Sequence, residues 1–257
     1  MSITYIIQLV LLLYLSQFLI APLIIYFSNR QSANPEFMTF DLVNPPLRLP
    51  ASYMQSLPLL ESLGFQPVAH LFSEALATNV RTVLTMYVNR REREIATVVH
   101  MLCEVPPVTR VLHTYTEFCT EFDDGHELNT SNSSHPQLFA VVPEKQIFRL
   151  PNLTNVQHLY EVHRTLTGQR LGVNKRLAFP GQEVVELIDG MKLDLAREAA
   201  FGRIALDASG EWYRPTMRGA IYSTLMLIWP VGMLRRMLQR RRGVRLAAEV
   251  FANRRGF

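Results

Sequence analysis

Residues 81–103 read RTVLTMYVNRREREIATVVHMLC: two runs rich in β-branched and apolar side chains, Arg81–Asn89 and Glu94–Cys103, joined by the charged junction Arg90-Arg91-Glu92-Arg93. Branching at Cβ restricts χ1 and suits a pleated backbone. Two such runs meeting at a short polar turn predict a β-hairpin.

The chain continues in the same style on the C-terminal side. Thr109–Phe122 alternates, with Leu112, Phe118 and Phe122 on one face and Thr114, Thr116 and Thr120 between them. Asp123-Asp124-Gly125 then closes a turn into His126–Thr130, because Asp-Gly is a strong hairpin signal. Leu138–Val142 and Gln146–Leu150, parted by Pro143-Glu144-Lys145, read as a last hairpin. On the N-terminal side, Phe65–Phe72 predicts a first strand and Tyr53–Leu63 a short helix, broken near Pro58 and stopped at Gly64. Beyond the sheet, Asn155–Thr167 and Gln182–Leu206 carry apolar residues at helical spacing.

Strands first and helices afterwards give an α+β fold: an antiparallel β-sheet of about five to seven strands with helices packed on one face. No βαβ alternation supports a doubly wound domain. The expected organisation is a transmembrane anchor over 1–30, an extended proline-containing linker over 31–52, and an α+β domain over 53–212. Within that domain the sheet is expected at about 65–150 and the helices at about 153–206. A membrane-interacting helix and an arginine-rich tail fill 213–257.

The anchor follows from the first charged side chain being Arg30. Tyr5–Phe27 is nearly all apolar, and 23 residues at helical rise span about 34 Å, enough for a hydrocarbon core of about 30 Å. A cleaved signal peptide fits poorly: the first four residues hold no base, the apolar run is too long, and no convincing small-residue cleavage site follows.

Charge is concentrated at the other end. Residues 235–257 hold eight arginines and one acid, net +7, so the chain total of +4 leaves −3 for residues 1–234. Just ahead lies the uncharged stretch Gly219–Leu234, sixteen residues long, with Arg214 and Arg218 before it. It is short for a spanning helix, and three readings stand: a second transmembrane helix, an interfacial amphipathic element, or a core helix. The interfacial reading makes Trp229, Arg235, Arg236, Arg240, Arg241, Arg242 and Arg245 the residues in contact with membrane lipid. If the segment does not span, the chain crosses once, and the excess of arginine after the anchor assigns the domain to the cytoplasmic side, with a bacterial inner membrane the expected location. If it spans, the domain lies outside. The sequons at Asn129, Asn132 and Asn152 discriminate little, and no motif supports nucleic-acid binding.

Chemistry is sparse. His158 and His163 stand five apart, on different helix faces, and His126-Glu127 lacks the second histidine of a zinc helix. His100 and His113 lie on neighbouring strands, where paired histidines are usually structural. Glu121, Asp123 and Asp124 miss the EF-hand spacing and read as a solvated turn. Ser131-Asn132-Ser133-Ser134-His135 offers hydroxyls beside a histidine without a nucleophile elbow, and no phosphate-binding glycine motif occurs. Cys103 and Cys119 read as free thiols. No catalytic residue, cofactor or metal is expected. If a ligand pocket exists, its wall is expected to combine Glu117, Asp123, Asp124 and His126 with His158, Glu161 and His163 of the following helix.

These readings favour an accessory or scaffolding subunit of a larger membrane complex, with lipids and other membrane subunits as partners. A membrane-tethered domain for a small ligand or lipid stands second, and an enzyme without a recognisable motif third.

Overall fold

A computed structural model describes residues 3–105, 108–134, 142–170, 172–228 and 230–254. Helix α1 (Ile3–Ser28) leads into two short strands, β1 (Gln31–Ser32) and β2 (Met38–Thr39), and then α2 (Ala51–Ser62). The main strands follow: β3 (Gln66–Ala77), β4 (Val80–Asn89), β5 (Glu94–Val105), β6 (Val108–Phe122), β7 (Glu127–Ser131) and β8 (Lys145–Arg149). Next come α3 (Val156–Gly168), β9 (Lys175–Arg176), α4 (Glu183–Ala200), β10 (Ile204–Leu206) and β11 (Trp212–Pro215). Two helices, α5 (Met217–Leu227) and α6 (Val231–Arg254), complete the described chain.

The hairpin expected at 81–103 is β4–β5, paired from Val80↔Cys103 to Asn89↔Glu94. At its turn, Asn89 Oδ1 accepts the Glu92 N–H at 3.1 Å, and Arg93 takes a positive φ of 55°. Around it runs one sheet in the order β10-β11-β1-β3-β4-β5-β6-β7-β8, with β2 also on β3 and β9 on β6. Among the described residues it has eleven strands rather than five to seven, because strands of two to four residues extend it at positions too short to show periodicity. It is also mixed: β8 runs parallel to β7, Glu127↔Lys145 through Ser131↔Arg149. Thirteen residues, 132–144, separate these two strands, enough for the crossover that parallel pairing requires. The expected antiparallel partner, Leu138–Val142, lies outside the described residues except for Val142.

Helices cover both faces, not one. On the first face, Val83, Tyr87, Ala96, Val98, Phe118 and Phe122 pack with Tyr53 and Leu60 of α2 and with Leu159, Tyr160 and Val162 of α3. Phe65, Phe118 and Tyr160 form an aromatic cluster with centroids 5.0–5.6 Å apart. On the second face, Leu71, Leu84, Met86 and Val99 pack with Val184 and Leu187 of α4. The physical reason is in β4: from Thr82 to Asn89 every residue is buried, and Val83-Leu84 and Met86-Tyr87-Val88 put apolar groups on both sides of the pleat. Such a strand needs cover above and below. Two element boundaries also move. The second predicted helix stops at Ala200; Gly202, at φ +67°, turns the chain, and Ile204–Leu206 becomes β10. The linker is part of the domain, since β1 joins β11 and β3, β2 joins β3, and Leu47 is buried in the main core.

Among the described residues α1 is the one helix long and apolar enough to cross a membrane. Gly219–Leu234 is not a continuous helix: it divides between α5 and α6 around Ile228–Pro230. Helix α5 starts where α1 ends, because β11 is hydrogen-bonded antiparallel to β1, and it packs back along α1. Pro22 is buried there, and Ile25 of α1 shares a crevice with Gly219, Tyr222 and Ser223 of α5. Thr216 caps α5 by accepting the Gly219 N–H at 3.1 Å. It is anchored to the preceding turn through its N–H to Arg203 O at 2.9 Å and its hydroxyl to Gly202 O at 2.7 Å. A Cβ on Gly219 would lie 1.8 Å from Arg203 O. Gly219→Ala is therefore expected to push α5 off the domain, at about 3 kcal/mol of stability, read as a fall in thermal midpoint in detergent micelles. An unchanged midpoint would mean that this approach is not close.

The arginine-rich tail is likewise not a free tail. Residues of α6 return to the domain: Val250 joins the main core, Leu246 packs against it, and Ala247 is buried. Gly243 sits over Leu150, where a Cβ would approach the leucine Cδ2 to 2.9 Å.

Candidate functional site

Strand register alone assembles a polar row system on the α4 face. One row across the sheet is Met86, Thr97, Glu117, Ser131, Arg149; the next is Val88, Ile95, Cys119, Asn129, Ile147; the third is Glu121, Glu127, Lys145. Side chains directly opposite stand about 5 Å apart at Cβ, so each row is one contiguous strip. Helix α4 lies over these strips and adds Glu186, Leu187, Met191 and Asp194. The space left between helix and sheet is a cleft of about 180 Å³. It opens into a wider mouth of about 460 Å³ that shares Glu121, Glu127, Lys145, Glu186 and Asp194 and is edged by His126 and Arg176.

Lys145 sits at the centre. Its Nζ lies 2.8 Å from Asp194 Oδ2 and 3.2 Å from Glu127 Oε2. Burial alone would push this lysine down, but the two carboxylates outweigh it and hold the ammonium above the ordinary lysine range. Glu127 Oε1 accepts from Asn129 Nδ2 at 2.5 Å and from the Cys119 thiol at 3.6 Å. Burial, with Glu127 next, pushes the Cys119 thiol well up, so it is not a thiolate nucleophile. Burial also raises the carboxyls of Glu117 and Glu121, against the pull of Arg149 on the first and Arg176 on the second. Asn129 is 3% exposed, and its Oδ1 has no hydrogen-bond partner among the described residues. Among the described residues no group of three or more His, Cys, Asp or Glu side chains is arranged to hold a metal ion.

The residues expected to form one pocket wall are divided by the sheet. Glu117 lies in the cleft, and His126 stands at its mouth. Asp123 and Asp124 belong to the β6–β7 turn. The first accepts from Asn174 Nδ2 at 3.0 Å; the second lies 3.2 Å from Arg170 and 3.1 Å from His126 Nδ1. His163 is on the opposite face and fully buried, bonded to Thr120 at 2.9 Å and Thr130 at 3.0 Å. His158 is exposed at the start of α3, where its N–H is capped by Asn155 at 3.1 Å, and Glu161 is half-buried on the same helix. The parity of β6 causes the split: its odd positions 117, 119 and 121 face α4, while Thr120 faces α3. His100 and His113 are separated in the same way. His100 bonds Thr114 at 2.7 Å, and His113 bonds Ser133 at 2.8 Å on the other side. Lys145, Asp194, Cys119 and Asn129 went unrecognised; the recurrence of charge at 117, 121, 127 and 145 on strands was the available signal. Cys103 and Cys119 are both free.

Of the expected lipid-contact residues, Trp229 and the side chain of Arg235 lie outside the described residues. Arg236, Arg240 and Arg241 are exposed. Arg242 stacks over Phe148 at 5.0 Å, and Arg245 pairs with Glu249 at 2.9 Å. Comparison with protein families, with curated proteins and with solved structures gives no match to this chain.

Proposed function

We propose that this protein is an accessory subunit, anchored in a membrane by α1, that holds a rigid α+β domain against a larger membrane complex. The observation that carries this reading is α5. Its inner side, Gly219, Ala220 and Thr224, is buried, whereas Met217, Ile221 and Leu225 form an exposed apolar stripe beside the exposed apolar surface of α1. Thr224 returns its hydroxyl to Ala220 O at 2.8 Å, which suits a segment surrounded by hydrocarbon. Eleven helical residues reach about 16 Å, half of a hydrocarbon core, so α5 enters one leaflet and α6 leads back out. Domain and basic helix then share one side, and the arginine excess favours the cytoplasmic one. Two states of the cleft favour a non-catalytic subunit over an enzyme: Lys145 is held as a paired cation and Cys119 as a thiol. A membrane-tethered binding domain is the second reading, and the cleft itself favours it.

Extraction of the native membrane in mild detergent is expected to bring this chain out in a larger assembly. A monodisperse monomer would overturn the subunit reading. Deleting residues 1–29 is expected to weaken membrane attachment without abolishing it. In that truncated chain, changing Arg236, Arg240 and Arg241 to Gln should weaken binding to anionic vesicles by up to about 3 kcal/mol, with neutral vesicles little affected. A truncated chain fully soluble at low salt would remove α5 and α6 from the membrane.

A further inference from the structure

Gln17 stands in the middle of α1. At the helical rise it lies about 21 Å from Ile3 and about 16 Å from Ser28, so a bilayer centred on the helix puts its amide near the midplane. The side chain is exposed and makes no hydrogen bond among the described residues. Helix α5 does not reach it. Pro22, buried where α5 packs, follows five residues later and so points about 140° away around the helix. An amide facing hydrocarbon has no water to bond, which leaves its donors and acceptor for a neighbouring helix. Gln8, the other glutamine of α1, is placed differently. It lies about 180° around from Gln17 and about 7 Å from Ile3, within reach of the head groups.

The surface beside Gln17 has the pattern of a paired helix. Ile3, Gln17 and Ile24 fall in one column of a seven-residue repeat, and Ile6, Ile20 and Phe27 in the other; all six are exposed. Four of the six isoleucines of α1 stand in these columns, whereas six of its seven leucines stand outside them. Branched at Cβ, isoleucine has little rotamer freedom to lose on packing, so this is the side of α1 best suited to a close partner. A single polar residue in such a seam sets the register. Depth identifies the partner. Copies of one chain enter a membrane in the same orientation, so paired anchors run parallel and each residue meets its own copy at equal depth. A second Gln17 is thereby delivered to the midplane, and an amide, holding donor and acceptor together, is complementary to itself across a two-fold axis. We propose that α1 pairs in parallel with α1 of a second copy of this chain, through the isoleucine-rich seam and mutual hydrogen bonds between the two Gln17 amides. The inference rests on the reading of α1 as a membrane anchor and specifies one interface of the assembly.

The test reconstitutes the full chain in phosphatidylcholine vesicles with donor- and acceptor-labelled copies mixed, and reads energy transfer as lipid is added. An alkaline carbonate wash of the same vesicles reads the anchor separately. The wild-type chain should stay in the membrane pellet and show transfer above chance proximity. Gln17→Leu should stay in the pellet but associate about tenfold more weakly. Gln8→Leu should match the wild type, and the thermal midpoint of the domain should be unchanged in both variants. A retained chain without transfer above chance, undiminished association in Gln17→Leu, or equal weakening by Gln8→Leu would overturn the pairing and leave the anchor standing. Release by carbonate would overturn the anchor reading and the pairing with it. In the native membrane, a photoreactive benzophenone side chain introduced in place of Ile20 should cross-link to a chain of the same mass. Cross-linking only to a different chain would assign the seam to another subunit and overturn the pairing.

Discussion

Lys175→Met is expected to lower the stability of the domain by about 3–5 kcal/mol, the cost of stranding a buried charge. Glu94 is fully buried on the α3 face, where it accepts from Tyr160 Oη at 2.8 Å and pairs with the ammonium of Lys175. Burial, followed by the Glu94 charge, pushes the Tyr160 hydroxyl up, so it stays a donor. Among the described residues, removing Lys175 leaves the carboxylate with one hydrogen bond and no ion-pair partner. For a chain of this size the thermal midpoint should fall by roughly 10 °C. The double variant Glu94→Gln/Lys175→Met should recover most of that loss, because a neutral amide can keep the tyrosine bond without a cation. Equal destabilisation in the single and double variants would mean that lost packing of the lysine, not its charge, is responsible.

Acidification should destabilise the same core before ordinary carboxylates titrate. Burial, assisted by the nearby charge of Lys175, pushes His163 down to about 3. Unfolded, the ring titrates near 6.5, so between those values the unfolded chain binds the extra proton and stability falls as pH falls. The full window is worth on the order of 5 kcal/mol at 1.36 kcal/mol per unit, and roughly half of it is lost between pH 6.5 and 4.5. His70 and His100, also lowered by burial, act in the same direction. Glu117 and Glu121 act oppositely, in a window that opens upward from the ordinary glutamate value, since their raised carboxyls favour the folded state in acid. Urea midpoints measured from pH 7 to 4.5 should therefore slope downward, and His163→Gln, whose amide can still bond Thr120 and Thr130, should flatten much of that slope. A slope identical in both proteins would place the acid sensitivity elsewhere.

What could be read from the chain depended on the range of the interaction that fixes each element. The β4–β5 hairpin was legible because a charged turn and two β-branched runs are local. So was α3, whose cap at Asn155 and apolar positions match its observed span to within a residue. The sheet face each helix covers was not legible: Val184 and Leu187 mark an apolar stripe on α4, but only the third dimension says that it meets Met86 and Leu84 rather than Val83 and Tyr87. The parallel alignment of β8 was hidden for the same reason, since Gln146–Leu150 carries no sign of its direction. The candidate site fell between these cases. Glu117 stands out by its polarity, but it faces α4 while Thr120, the partner of His163, faces α3, because residues one apart on a strand point to opposite sides. His163, expected in a pocket wall, is instead a buried partner of Thr120 and Thr130, while His100, expected to be structural, bonds Thr114.

Only Asn29 and Arg30 separate the end of α1 from β1. Those two residues are themselves held: Arg30 exchanges backbone bonds with Thr78, its N–H reaching Thr78 Oγ1 at 3.1 Å and its carbonyl accepting the Thr78 N–H at 3.1 Å. Its guanidinium lies over Trp212 at 4.2 Å. An anchor joined to its domain by a loose tether lets the domain sweep a volume and search for partners by diffusion. This one is mounted like a bracket bolted at two points, through β1 to α1 and through β11 to α5. If α1 is the membrane anchor proposed above, the height and azimuth of the domain over the bilayer would be set by the sheet edge, a partner would have to come to it at that fixed pose, and any tilt of α1 would be passed on to the sheet as a whole.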